Sequence, residues 1–246
     1  MCESFSCSCS LQVSEGMPVN HNTTPALIQE WYRDRHGPCS YKTAQRIRTS
    51  LLGNAQAIQA EQFTLLPAYV ERILAQDPGA LAKLRLDPSC RFANLFVCPS
   101  SSRSAWKHMR PFIALDAAFT KVIHHYVLLV AVGQDANNET IALAWGVAPV
   151  ENYDHWGWFI ENLDDALGSL NNRKTVLMSD RQKGLNLAIS RLLPQATEAY
   201  CCKHIERNIE ALCKVDVSAK FWAVVRACNH AEFMERMEQL REHSPK

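Results

Sequence analysis

From residue 112 onward the apolar residues of this chain fall into short runs whose order leaves few folds open. Residues 112–119, 126–132 and 141–147 read as three strands, the last two joined by the turn Asp135-Ala136-Asn137-Asn138. Trp156, Phe159, Ile160, Leu163 and Leu167 then recur at helical spacing. A short strand over 175–178, a helix over 185–193, a strand over 199–202 and a helix over 205–212 follow. Three antiparallel strands followed by strand–helix alternation specify an α/β protein with a mixed sheet flanked by helices.

The segment ahead of this core has a different period. Thr24-Pro25 is a helix start, with Thr24 as N-cap and Pro25 at the first helical position. Leu27, Ile28 and Trp31 fall on one face of a helix that stops at Gly37-Pro38. Ser40 caps a second helix running through Ile47, Leu51 and Leu52. A third, over 65–75, tolerates Pro67 in its first turn and ends at Asp77-Pro78-Gly79. Residues 81–86 and 92–98 read as short strands, and a Ser-capped turn of helix surrounds Trp106. The Ser- and Asn-rich residues 1–24 lack apolar periodicity and read as a flexible tail. The organisation expected is therefore a tail over 1–24, a basic, mainly helical segment over 25–110, and the core over 111–246.

Charge follows the same division. The net charge of +1 sums a tail of −2, a segment 25–110 of +6 and a core of −3. A basic segment beside an acidic one suggests a polyanion-facing module next to a carboxylate-bearing one. The apolar runs are too short to span a bilayer, and no basic stretch precedes an apolar one at the amino terminus, so neither membrane nor secretory signal is expected. The ten cysteines are scattered rather than paired, which favours free thiols. Only Cys201-Cys202-Lys203-His204 has close ligand spacing, and without a second tight pair it does not make a structural zinc site.

Two aspartates stand out. Asp116 interrupts the run Phe112-Ile113-Ala114-Leu115, and Asp180 follows Val176-Leu177-Met178-Ser179 at the carboxyl end of the fourth strand. A carboxylate buried in a sheet costs several kcal/mol unless a cation or strong hydrogen bonds compensate. Two on neighbouring strands would suit a hard cation such as Mg²⁺, which takes oxygen ligands. Asp180 has a simpler reading as the N-cap of the helix that follows; Asp116 has none.

The residues around these acids carry a resemblance. Ile113-Ala114-Leu115-Asp116-Ala117-Ala118-Phe119-Thr120-Lys121, the strand and turn from Leu128 to Asn138, and Ala144-Trp145 are similar to the core of Mutator-like element (MULE) transposases. So are Glu151-Asn152 with Trp156-Gly157-Trp158-Phe159, Ser179-Asp180-Arg181-Gln182-Lys183-Gly184-Leu185, and Tyr200-Cys201-Cys202-Lys203-His204-Ile205-Glu206-Arg207-Asn208. The resemblance implies an RNase H-like fold and a DDE active site, with Asp116 as first acid and Asp180 as second. It implies two divalent ions, Mg²⁺ or Mn²⁺, held for DNA strand cleavage and transfer. Cys201 and His204 match the family's Cys-x-x-His positions and, with Arg181 and Lys183 beside Asp180, are the DNA-contacting candidates. The implied partners are transposon ends and target DNA, the implied location is the nucleus, and a homo-oligomer is compatible with both.

One departure qualifies the resemblance. The family's third acid is a Glu well downstream of the Cys-x-x-His helix, beyond a helical insertion. Here the chain reaches Phe221-Trp222-Ala223 and the amphipathic stretch Phe233, Met234, Met237, Leu240 before Ser244-Pro245-Lys246. Glu232, Glu235, Glu238 and Glu242 match the third acid in type only. The expectation is a catalytic core incomplete at its third carboxylate and inactive as this chain, with apolar surface left uncovered near Ile205, Phe221 and Phe233. The rival is a domesticated relative similar to plant far-red-response transcription regulators, binding DNA or protein without chemistry. An unrelated nuclease or metal-dependent phosphatase would need a third carboxylate of its own, and the sequence offers no position for it.

Overall fold

The computed structural model describes residues 23–120 and 126–243, with only the backbone described over 54–61. The tail with Cys2, Cys7 and Cys9, the pair His124-His125 and the last three residues lie outside the described residues. Among those described are nine helices and seven strands. They run α1 (Pro25–His36), α2 (Tyr41–Phe63), α3 (Leu66–Gln76), β1 (Leu81–Leu86), β2 (Phe92–Cys98), α4 (Ser100–Trp106), β3 (Phe112–Phe119), β4 (Val127–Gln134) and β5 (Thr140–Ala148). Then follow α5 (Tyr153–Leu167), β6 (Val176–Ser179), α6 (Lys183–Leu192), β7 (Thr197–Tyr200), α7 (Cys202–Cys213), α8 (Ser218–Val225) and α9 (His230–His243).

The strands form one mixed sheet in the order β1-β2-β5-β4-β3-β6-β7, the RNase H-like arrangement. β1, β2 and β5 pair antiparallel, whereas β3, β6 and β7 are parallel neighbours. The β3–β4 hairpin is closed at one end by Thr120 N–H donating to Tyr126 O and bracketed at the other by Arg110 N–H donating to Gln134 O. The β4–β5 turn is held by Asp135, whose Oδ1 accepts the N–H groups of Asn137 and Glu139 at 2.8 Å each. Asn138 takes the left-handed conformation there (φ 68°), which asparagine tolerates better than most residues. The two leading strands thus extend the sheet beyond β5, so the segment ahead of residue 111 contributes strands as well as helices.

The described residues divide into two compact units, one within 1–101, 117–129 and 145–151, the other within 102–116, 130–144 and 152–246. In the first, α3 lays Leu66, Val70 and Ile73 on Ala82, Leu84, Leu95 and Val97. Phe63, Phe92 and Tyr126 form an aromatic trio with centroids 4.9–5.6 Å apart. Asp77 ties the end of α3 to the start of α4, accepting Ser100 N–H at 2.9 Å. The hydrogen bonds from Ser100 hold its carboxyl below the usual aspartate range. In the second, α5 and α6 pack together over a core containing Trp156, Phe159, Leu163, Leu177, Leu185 and Ile189. Ser102 donates to Ala142 O and Arg103 to Ala166 O, which fixes α4 in this unit.

Three expectations need correction. The second helix, read through Leu52, runs on to Phe63, because the single Gly53 is followed by Ala- and Gln-rich sequence that sustains a helix. Leu27 is exposed, since only Ile28 of α1 reaches full burial. The apolar surface near Ile205 and Phe221 is covered. Helices α7, α8 and α9 close on one another around Val217, Phe221, Val224 and Leu240, with Ile205 packed against that cluster. Phe233 does remain exposed.

Candidate active site

Asp116 and Asp180 lie on and just after two neighbouring parallel strands. β3 and β6 pair with Phe112 level with Val176, Ile113 with Leu177 and Ala114 with Met178. Asp116 stands two residues beyond that paired stretch within β3, and Asp180 two residues beyond it, one past the end of β6. Side chains alternate along a strand, so parity decides the face. Ile113, Leu115, Leu177 and Ser179 are buried, whereas Phe112, Ala114, Val176 and Met178 are half-buried. Both aspartates fall on the second set, Asp116 exposed and Asp180 half-buried. Asp116 therefore does not interrupt a doubly buried strand, as its apolar surroundings suggest. The face it occupies is open at this end, and the desolvation cost expected of it does not arise.

The next strand extends the row. β6 and β7 pair parallel with Ser179 level with Tyr200, and Cys201 N–H donates to Ser179 O at 2.8 Å. Cys201 follows Tyr200 as Asp180 follows Ser179. Asp116 in the second half of β3, Asp180 just after β6 and Cys201 just after β7 thus lie toward the carboxyl ends of three adjacent parallel strands, the place where open α/β sheets hold ligands. Cys201 is also the N-cap of α7, and His204 lies in that helix's first turn, its N–H donating to Cys201 O at 3.1 Å. The Nδ1 atom of His204 is buried without a hydrogen-bond partner among the described residues.

The loop carrying Asp180 is closely determined. Asp180 Oδ1 accepts Gln182 N–H at 2.9 Å, so it braces the turn, but the N-cap of α6 is Gln182, whose Oε1 accepts Leu185 N–H at 2.7 Å. Arg181 adopts the left-handed conformation (φ 75°), and both Arg181 and Lys183 present exposed side chains beside Asp180. Ser179 Oγ donates to Asn186 Oδ1 at 3.0 Å, joining the end of β6 to α6. Gly184 lets α6 start directly against the start of α5. A Cβ there would lie 2.7 Å from Tyr153 N and 2.8 Å from Asn152 C. Asn152 caps α5 by accepting His155 N–H at 3.0 Å.

A buried carboxylate sits on the same helix as His204. Glu206 has no exposed surface, and its carboxylate takes hydrogen bonds from Lys203 and, at 3.0 Å, from Trp222 Nε1 in α8. Lys203, then Ser218 and Trp222, hold its pKa below the usual glutamate value against the opposing effect of burial. This clamp was not read from the sequence. The available signal was an acid on the stripe Cys202, Ile205, Ile209 that α7 turns inward. Of the four downstream glutamates, Glu235, Glu238 and Glu242 are exposed. Glu232 pairs with Arg236 and accepts Cys228 N–H, and Glu238 pairs with Arg241. Among the described residues no group of three or more His, Cys, Asp or Glu side chains converges as a metal site, and no helix is long and apolar enough to cross a membrane.

Residues 112–208 match the MULE transposase domain. The chain is similar to Protein FAR-RED IMPAIRED RESPONSE 1 of Arabidopsis thaliana, 22% identical over 157 residues, which are 64% of this chain and 19% of that protein. It is also similar to the transposase for insertion sequence element IS406 of Burkholderia multivorans, 25% identical over 223 residues, 80% of this chain and 56% of that one. The chain thus spans about a fifth of one relative and just over half of the other. The matched segment opens on the strand of Asp116, contains the loop of Asp180 and closes within the helix of His204. The part of this chain that carries both aspartates, residues 112–208, is thus similar to the MULE transposase domain.

Proposed function

We propose that the chain is the catalytic-core segment of a MULE-type DNA transposase, with Asp116 and Asp180 as the first two acids of its three-carboxylate site. The observation that supports this reading is the placement of Asp116 on β3 and Asp180 just past the end of β6, two neighbouring parallel strands inside the family match. Two hard oxygen donors side by side fit Mg²⁺ or Mn²⁺, and Asp116 and Asp180 would hold it. When bound, such an ion supplies Lewis-acid activation of a water or 3′-hydroxyl and stabilises the leaving oxygen of a DNA phosphodiester. The chain's own part is to orient. Ser179 and Asn186 fix the end of β6, Gln182 and Gly184 set the turn, and Arg181, Lys183, Cys201 and His204 border the place where a phosphodiester would lie. The partners are transposon ends and target DNA, engaged in the nucleus, with a homo-oligomer bringing two ends together.

Two carboxylates leave the ligand set one short, and Mg²⁺ held by two protein ligands keeps most of its waters and lacks a fixed geometry. The 246-residue chain is therefore expected to bind Mn²⁺ weakly and not to cut DNA. Calorimetric Mn²⁺ titration and a metal-dependent nicking assay on wild type, Asp116→Asn and Asp180→Asn test both parts. Loss of Mn²⁺ binding in each variant supports the site, and binding unchanged in both refutes it. Nicking by wild type that both substitutions abolish would show the site to be complete, with the third ligand among the α9 glutamates. A second reading, DNA binding or transcriptional regulation without catalysis, draws support from the similarity to FAR-RED IMPAIRED RESPONSE 1 over 64% of the chain. It predicts sequence-selective DNA binding indifferent to divalent ions.

A further inference from the structure

We propose that α2 is a reading helix for duplex DNA, presenting Lys42, Gln45, Arg46, Thr49 and Ser50 to base edges in the major groove. The inference shares the DNA partner of the reading above but uses none of its acids. Helices α1 and α2 are joined by four residues, Gly37 to Ser40, with Gly37 in the left-handed region (φ 93°). They pack through Ile28, Ala44, Ile47 and Leu51, with Trp31, Tyr32 and Cys39 against this core. Two further links fix the pair. Gln29 Nε2 donates to Cys39 O at 2.9 Å, and Arg48 Nε donates to Thr23 O at 2.6 Å. Two helices joined by a short Gly-containing turn are the make-up of a helix-turn-helix unit, whose second helix enters the major groove by its N-terminal half.

The outward face of α2 has the chemistry for that task. At about 100° per residue, Lys42, Gln45, Arg46, Thr49 and Ser50 fall within an arc of about 140° opposite Ala44, Ile47 and Leu51. All five are exposed, and they border an open concavity of about 510 Å³. Arg and Lys match the O6 and N7 acceptors of guanine, and Gln matches N6 and N7 of adenine, while hydroxyls serve either. Thr49 is the weakest reader of the five, because its hydroxyl already donates to Gln45 O at 3.0 Å. Exposed Arg33, in the last turn of α1, supplies a cation beside the turn for the phosphate backbone.

A merely solvated helix face looks different, and α9 provides the comparison. There acids and bases alternate, with Glu232 paired to Arg236 and Glu238 to Arg241. In α2 no acid precedes Glu61, so Lys42 and Arg46 face no carboxylate of their own helix over its first five turns. An uncompensated cationic face carrying amide and hydroxyl groups is complementary to a polyanion with readable edges.

The test uses the full 246-residue chain in EDTA, so it depends on neither a divalent ion nor cleavage, and its outcome is separate from that of the catalytic reading. Duplexes with a random 20-bp centre are selected for binding. Affinities for the enriched duplex and a scrambled one are then measured by fluorescence anisotropy at two salt concentrations. Wild type should prefer the enriched duplex by at least about tenfold. Gln45→Ala with Arg46→Ala should erase that preference, lowering affinity for the enriched duplex roughly ten- to hundredfold while changing the scrambled one by less than about threefold. Arg46→Lys, which keeps the charge and loses the fork, should erase most of it too. Lys42→Ala should weaken both duplexes alike and reduce the salt slope by about one. Arg241→Ala, which removes an equal charge from α9, should leave the preference intact. Thermal melts check that these exposed substitutions leave the fold in place. Preference that survives the double substitution, absence of any enriched sequence, or equal displacement by an RNA duplex of the same sequence would overturn the proposal.

Discussion

Replacing Gly184 by alanine tests how tightly the turn after Asp180 is built. In a helix the substitution normally stabilises by about 1 kcal/mol, because alanine loses less backbone freedom on folding. At Gly184 the added Cβ would lie 2.7 Å from Tyr153 N, 2.8 Å from Asn152 C and 3.0 Å from Gln182 Oε1. The two closest atoms are backbone at the capped start of α5 and cannot swing aside as a side-chain end could. Relief therefore needs α6 to lift off α5, an overpacking cost of about 1–3 kcal/mol that outweighs the propensity gain. Gly157, on α5 in the same unit, is the control. A Cβ there meets only Leu192 Cδ1 at 3.8 Å, ordinary van der Waals contact, so the propensity gain should stand. Thermal unfolding should then show Gly157→Ala raising Tm by about 2–4 °C and Gly184→Ala lowering it by up to about 8 °C. Alanine at 184 as stable as wild type would show that the start of α6 has slack, and with it the loop holding Asp180.

Two other perturbations probe other parts of the molecule. The Glu206 carboxylate is held below its ordinary pKa by Lys203, Ser218 and Trp222. Its contribution is thus complete above the unfolded value of about 4.3 and fades as pH falls through the lower folded one. Glu206→Gln should lower Tm near neutrality, with the gap to wild type narrowing on acidification; a gap constant from pH 7 to pH 3 would show that the carboxylate's charge is not what joins α7 to α8. Ile28 is fully buried between α1 and α2, so Ile28→Ala should cost about 2–5 kcal/mol locally. Amide exchange should accelerate through 25–51 and not in β3–β6, and uniform acceleration would contradict a separately packed helix pair.

The sequence disclosed elements whose signals are local and concealed those set by distant partners. Thr24-Pro25 begins α1 as read, with Thr24 Oγ1 accepting Leu27 N–H at 3.3 Å, because a cap and its target lie three residues apart. Asp135 closes the β4–β5 turn as read for the same reason. The order of strands from 112 to 200 was legible because each apolar run is bounded by turn residues. Helix α2 outran its reading because Gly53 alone does not end a helix that the following residues can propagate. The clamp on Glu206 was hidden because Trp222 lies 16 residues away and its indole N–H meets the carboxylate only once α8 has folded back on α7. Asp116 and Asp180 stood out for their apolar neighbours, but their position on an open face follows from strand parity that composition does not reveal.

Under the proposed function that parity lets the two acids act as a pair. Side chains alternate along a strand, so the number of residues from a register-matched pair to each aspartate must be the same in both strands, and from Ala114 and Met178 it is two in each. Sliding β6 by one residue against β3 would turn Asp180 toward the core and bring Ser179 to the open face. Several contacts oppose that slide at the point where β6 ends. Leu177 and Ser179 are already committed to the buried side, Ser179 Oγ bonds Asn186 in α6, and Ser179 O accepts Cys201 N–H from the far neighbour. The buried serine is thus the fixed point from which Asp180 is aimed. Ser179→Ala leaves Asn186 Oδ1 without the hydroxyl it accepts from and should cost about 1–3 kcal/mol. Under the proposed function it should also weaken Mn²⁺ binding without removing either aspartate. A Ser179→Ala protein with lower Tm but unchanged Mn²⁺ affinity would show that strand register alone holds the pair, and that the links from Ser179 only stabilise the fold.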